Sequence, residues 1–230
     1  MSSTDLVRAL TPADLAALAL LLIAWLGIGH LTEHPPASRP SVSELMKRYR
    51  RDWMHQFVSR QPRIFDATVL DSLRQGTSFF ASACLIAIGG GVALLGDPTK
   101  LSGLNGDLPL LQGGPAIWQV KIIIVLLFLT NAMLKFVWSH RLFGYCAILM
   151  AAVPNDADDP ESLPRALQAA EINIHSARNF NRGLRSVYFA LAALAWLLGP
   201  AELALATLAT LYVTWRREFA SHSRRVLLGR

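Results

Sequence analysis

Residues 187–215 read VYFALAALAWLLGPAELALATLATLYVTW, and the threading of this stretch decides the fold. Taken as one helix, it would carry Arg216, Arg217, Arg224, Arg225 and Arg230 to the far side of a membrane from most of the other cations. Gly199 and Pro200 interrupt it near the middle, where a helix is readily stopped. Broken there, it becomes two short apolar helices, residues 184–198 and 201–215. Each can be extended by tilt and by arginines that reach back to water. Glu202 then lies in the turn, and the basic tail returns to its starting side. The hairpin is favoured because the single helix translocates five arginines against the positive-inside bias.

The rest of the charge map agrees. Of 22 Lys and Arg, only Arg8, Lys100, Lys121 and Lys135 fall outside the basic clusters, which alternate with long apolar runs. With 53% hydrophobic and 17% charged residues and a mean hydropathy of +0.35, the chain is too apolar for a soluble domain and too short for several units. Residues 1–230 read as a single integral membrane domain. The net charge of +6 borders apolar spans and belongs to no nucleic-acid module, so anionic lipid headgroups are the expected partner and nucleic acid is not. Cys84 and Cys146 sit in apolar surroundings and imply neither a disulfide framework nor a zinc site.

The first span is expected over residues 12–31, opened by Thr11-Pro12. Its amino terminus is placed outside. Residues 32–74 carry eight cations and should be cytoplasmic. Within them Leu45, Met46, Tyr49, Trp53, Phe57 and Val58 recur at helical spacing. That amphipathic helix either lies on the inner membrane surface or covers the cytoplasmic ends of the bundle. A second span over 75–95 carries Ala83, Ala87 and Gly91 four residues apart, a stripe suited to close helix approach. After an outer loop at 96–115, a third helix from 116 to 153 outruns a bilayer, so residues 142–153 must project inward or bend. Residues 154–186 read as a cytoplasmic helix opened by Asp159-Pro160-Glu161. Its apolar stripe is Leu163, Leu167, Ala170, Ile174, Ala177, Leu184 and Val187. The expected fold is therefore all-α: a polytopic transmembrane helix bundle, five spans favoured and four possible, with amphipathic and cytoplasmic helices.

Several local strings carry a family likeness. They are Trp53-Met54, Arg63-Ile64-Phe65-Asp66, the run SFFAS at 78–82, KFVWS at 135–139, Tyr145-Cys146, YFALAALAW at 188–196 and Arg216-Arg217-Glu218-Phe219. On these, from about residue 40 to 221, the chain resembles an uncharacterised bacterial integral membrane family, domain of unknown function 599. The resemblance implies an integral membrane location, and the chain is expected in a bacterial inner membrane as a multi-pass protein. It carries over no activity and no site residue.

Ionisable groups within apolar spans are costly and so are candidates for function. Asn131, Lys135 and Ser139 lie four apart and continue toward Arg141 and Tyr145, giving a polar stripe that must face protein or water. It either bonds to neighbouring helices or lines a cationic vestibule. Arg63, Arg74, Arg182, Arg185, Arg216 and Arg217 share the inner face with Asp66, Asn181 and Glu218. They are candidate contacts for lipid phosphates or anions, or clamps on the two acids. The histidines lack metal-ligand spacing, a haem pair from His30 and His140 lacks a matching second pair, and no nucleophile elbow or phosphate loop is present. No enzyme activity and no cofactor are expected. The expected function is an oligomeric ion or small-solute pathway with its carboxyl terminus cytoplasmic. The alternative is a non-transporting scaffold or sensor that binds anionic lipid or a protein partner through its basic face.

Overall fold

A computed structural model describes residues 10–96 and 115–229. The described residues form helices and connecting turns. They are α1 (Pro12–Glu33), α2 (Val42–Ser59), α3 (Ile64–Gly96), α4 (Pro115–Ala151), α5 (Ser162–Leu194), α6 (Pro200–Phe219) and α7 (His222–Leu227). The expected outer loop falls largely outside the described residues.

Capping explains where α1 starts. The Thr11 hydroxyl accepts from the Asp14 amide (3.2 Å) and the Asp14 carboxylate accepts from the Thr11 amide (3.0 Å), with Pro12 at the first helical position. The 187–215 stretch does break: α5 tightens into a 3-10 turn over Ala195–Leu197, Gly199 is extended, and Pro200 opens α6. Trp196 is fully buried in this turn and donates to Asp14 Oδ1 (2.7 Å), while the Lys121 ammonium lies 5.7 Å from its ring. The Gly199-Pro200 turn therefore sits at the same end of the molecule as the start of α1. The hairpin arms run beside α1 to the other end, where Glu33 meets Arg182 and Arg185.

Two layers follow from this arrangement. In the apolar one, Leu21, Ala24 and Ile28 of α1 pack with Val125 and Phe128 of α4, Phe189 and Ala193 of α5 and Leu203 of α6. α1, α3 and α4 are each long and apolar enough to cross a membrane. In the charged layer, Met54, Phe57 and Val58 of α2 pack with Leu70 of α3, Phe143 and Cys146 of α4 and Ala166, Ala169 and Ala170 of α5. The apolar face of α2 is thus spent on the bundle.

The helices α4 and α5 join the layers. At about 1.5 Å per residue they are roughly 55 and 50 Å long. The expected inward projection of α4 is present. The separate cytoplasmic helix is not: the polar segment and the first hairpin arm are one helix, Ser162–Leu194, because nothing in GLRSVYF stops it. Its start lies just beyond the expected cap, after a turn in which Ser162 Oγ donates to the Asp156 carbonyl (2.6 Å).

The seam between α4 and α5 has a seven-residue period. Ala169, Ser176, Gly183 and Ala190 are buried along α5, facing Ala132, Phe136, Ser139, Phe143, Cys146 and Met150 along α4. A spacing of three and four over many turns is the signature of left-handed coiled-coil packing. Small residues on α5 let the backbones approach, so the tightest face is this one rather than the larger Leu163-to-Val187 stripe. Leu163 itself is exposed. Ser139 and Ser176 exchange hydrogen bonds across the seam: each hydroxyl donates to the other's carbonyl, at 2.8 and 2.7 Å. Phe80 of α3 and Phe180 of α5 close on Phe136, with ring centroids 5.3 and 5.4 Å away. Along the proposed small-residue stripe of α3, Gly91 faces Leu126, whereas Ala83 and Ala87 are exposed in the single copy.

Candidate functional site

The charges gather where the two layers meet. Glu33 ends α1 and accepts from Arg182 Nε (2.8 Å), from Arg182's terminal nitrogen and from Arg185 (2.6 Å). Three residues apart on α5, the two arginines lie on one face. Gly29, one turn back on α1, lies against the Arg185 guanidinium at ordinary contact distance: a Cβ there would lie 3.8 Å from its Nε. Glu218, near the end of α6, accepts from the Ser43 amide (3.0 Å) and hydroxyl (3.1 Å), and Asn181 donates to the same hydroxyl (3.2 Å). A carboxylate is thereby seated on the first turn of α2, where the helix dipole favours negative charge.

Beside this cluster is a cavity of about 390 Å³, walled by the end of α1, the first turns of α2, the middle of α5 and the α6–α7 junction. Its lining includes Lys47, Arg50, Arg178, Arg185 and Arg217 against Glu33, Glu44 and Glu218. The acids are engaged: Glu33 by its two arginines, Glu44 by Lys47, Glu218 by Ser43. Three of the cations have no acidic partner among the described residues: Arg217, which meets the Tyr188 hydroxyl, Arg50 and Arg178. Arg50 donates to the amide oxygen of buried Asn173, and Arg178 has no bonding partner among the described residues. Burial pulls the Arg50 guanidinium below its ordinary pKa.

The expected polar stripe divides. Asn131 donates to Ser186 Oγ (2.7 Å) and Ser139 is fully buried on Ser176, so both belong to the α4–α5 seam. Lys135 is half-buried and has no ion-pair partner among the described residues. Arg141 and Tyr145 lie on the outer side of α4, where Arg141 Nε donates to Tyr145 OH (2.6 Å) and its guanidinium faces the Trp138 and Tyr145 rings.

The basic set divides as well. Arg63 donates to the Val153, Val58 and Pro154 carbonyls (2.8, 3.2 and 2.7 Å) and lies over Phe57, tying the ends of α2 and α4. Arg74 lines a separate groove of about 490 Å³ with Arg63, and its Nε is buried without a partner among the described residues. Arg182 and Arg185 hold Glu33. Arg216 is exposed, and Arg217 donates to Tyr188 OH (2.7 Å). Asp66 is clamped by Arg60 and by Trp53 Nε1 (2.6 Å), not by the arginines of the basic set. His30 stacks on His34, and His140 faces the Thr77 hydroxyl.

Glu33, Arg50 and Arg178 were not singled out in the sequence. Glu33 had a usable signal, a lone acid closing an apolar run. The other two are one cation among many until α2 docks on α5.

A peripheral pair gives a pH expectation. Arg51 Nε meets Glu171 Oε1 at 2.6 Å, and this hydrogen bond holds the Glu171 carboxyl below its usual range. A depressed folded-state value stabilises above the unfolded pKa of about 4.3 and is lost as pH falls through the folded one. Both side chains are half-exposed, so the effect is under about 1 kcal/mol. Thermal midpoints of wild type and Glu171→Gln should differ slightly at pH 6 and converge toward pH 3.

A family model described as protein of unknown function, DUF599, matches residues 16–223, and the chain belongs to that family. No curated protein and no solved structure matches it.

Proposed function

From that membership, which fixes a family and no activity, we propose a non-transporting membrane sensor or scaffold that works through its charged layer. One observation carries this: Asn131 and Ser139, the polar groups best placed to line a path, are bonded to Ser186 and Ser176 in a coiled-coil seam. A seam satisfied by protein groups leaves no call for water. The apolar layer then serves as an anchor. In this reading α1, α3, α4 and the 187–215 hairpin cross a bacterial inner membrane, with the amino terminus outside and the charged layer and tail in the cytoplasm. The arms of the hairpin are short for a bilayer of about 30 Å, and Arg216, Arg217 and Arg185 extend them toward water. No chemical step is assigned.

Reconstituted vesicles should release trapped potassium or chloride no faster than empty ones, with Lys135→Ala making no difference. Flux above the empty control that falls on Lys135→Ala would establish the other reading, an oligomeric pathway. Two observations favour that reading: half-buried Lys135, without an ion-pair partner among the described residues, and the exposed Ala83 and Ala87 on which a second copy could pack.

A further inference from the structure

Neutral hydrogen bonding does not account for the way the boundary cavity is charged. Its three carboxylates are already held by cations or by the first turn of α2, yet Arg50 and Arg178 stand on its walls without an acidic partner among the described residues. The buried Arg50 guanidinium is costly unless an anion meets it, and Arg178 adds a second, partly exposed guanidinium to the same wall. Arg50 comes from α2 and Arg178 from α5, with Asn181 and the Ser221 and Ser223 hydroxyls on the same lining. Forked guanidinium donors from two helices, supplemented by neutral donors, suit a group with three acceptor oxygens and more than one negative charge. A volume of about 390 Å³ accepts such a group with a small substituent.

We propose that the cavity between α1, α2, α5 and the α6–α7 junction binds a phosphate monoester through Arg50 and Arg178. This rests on the sensor reading and names its ligand class. Thr32 and Glu33 put the cavity at the edge of the apolar layer, within reach of either a soluble phosphate ester or the headgroup of a phosphorylated lipid.

Calorimetric titration of the detergent-solubilised full chain tests this with two probes, glycerol 3-phosphate and dihexanoyl phosphatidic acid. At least one should bind saturably, and Arg178→Gln and Arg50→Gln should each weaken that binding about tenfold or more, the loss of one charge-assisted contact. Arg225→Gln, which removes the same charge from outside the cavity, should leave affinity unchanged. Tighter binding of phosphatidic acid identifies the headgroup, and tighter binding of glycerol 3-phosphate the soluble ester. Arg50 also holds buried Asn173, so Arg178→Gln, which breaks no side-chain bond among the described residues, is the deciding variant. The proposal is overturned if neither probe binds at millimolar concentration or if all three variants weaken binding equally. The sensor reading stands or falls separately, on vesicle flux.

Discussion

Glu33→Ala is expected to destabilise the protein by about 3–5 kcal/mol, the range for stripping the partner from a buried ion pair. The Glu33 and Arg185 side chains are 11% and 9% exposed, so neither is well solvated when left alone. Loss of the carboxylate leaves two guanidiniums three residues apart on α5, repelling each other, with Glu218, which is bonded to Ser43, as the remaining acid near Arg185. The end of α1 should come away from α5 first. Unfolding in detergent followed by circular dichroism measures the loss. Combining Glu33→Ala with Arg185→Met removes the stranded charge and should recover a large part of it, a coupling that a double-mutant cycle reads directly. A single-variant cost below about 1 kcal/mol would show that water already solvates the cluster.

Gly183→Leu should be comparably severe, for a steric reason. A Cβ at Gly183 falls 2.7 Å from one carbon of the Phe136 ring and 2.9 Å from two others. Phe136 is fully buried between Phe80 and Phe180, so the ring has nowhere to swing. Overpacking a closed core costs about 1–3 kcal/mol for small additions. Gly183→Ala should fall in that range, reduced by up to about 1 kcal/mol through the better helix propensity of alanine. Gly183→Leu adds three further carbons and should force α4 and α5 apart, lowering the thermal midpoint well below that of Gly183→Ala. Phe136→Leu in the Gly183→Ala background should restore stability. If it does not, the contact is not what limits the approach of the two helices.

Features decided by neighbouring residues were legible in the sequence. Thr11, Pro12 and Asp14 cap α1 as local chemistry requires, and Gly199-Pro200 turns the chain because proline offers no amide to continue the preceding helix. The overlong α4 followed from counting residues against bilayer thickness. The stripe from Asn131 to Tyr145 was misleading for an equally local reason. Residues two apart, such as Ser139 and Arg141, lie on opposite sides of a helix, so the stripe could not hold one face to its end. The join of the polar segment to the hairpin arm was hidden by composition, since the character changes at Arg185 while the backbone continues.

Hydrophobicity and cation placement act residue by residue, so the sequence alone determined an all-helical protein with apolar and charged layers and a break at Gly199. Pairing of distant charges depends on which helices become neighbours. Glu33 and Arg185 are 152 positions apart, and Ser43 and Glu218 are 175. Only the packing of α1, α2 and α6 around α5 could bring these groups together and leave Arg50 and Arg178 facing a cavity. Packing then gathered charges from distant segments around one cavity.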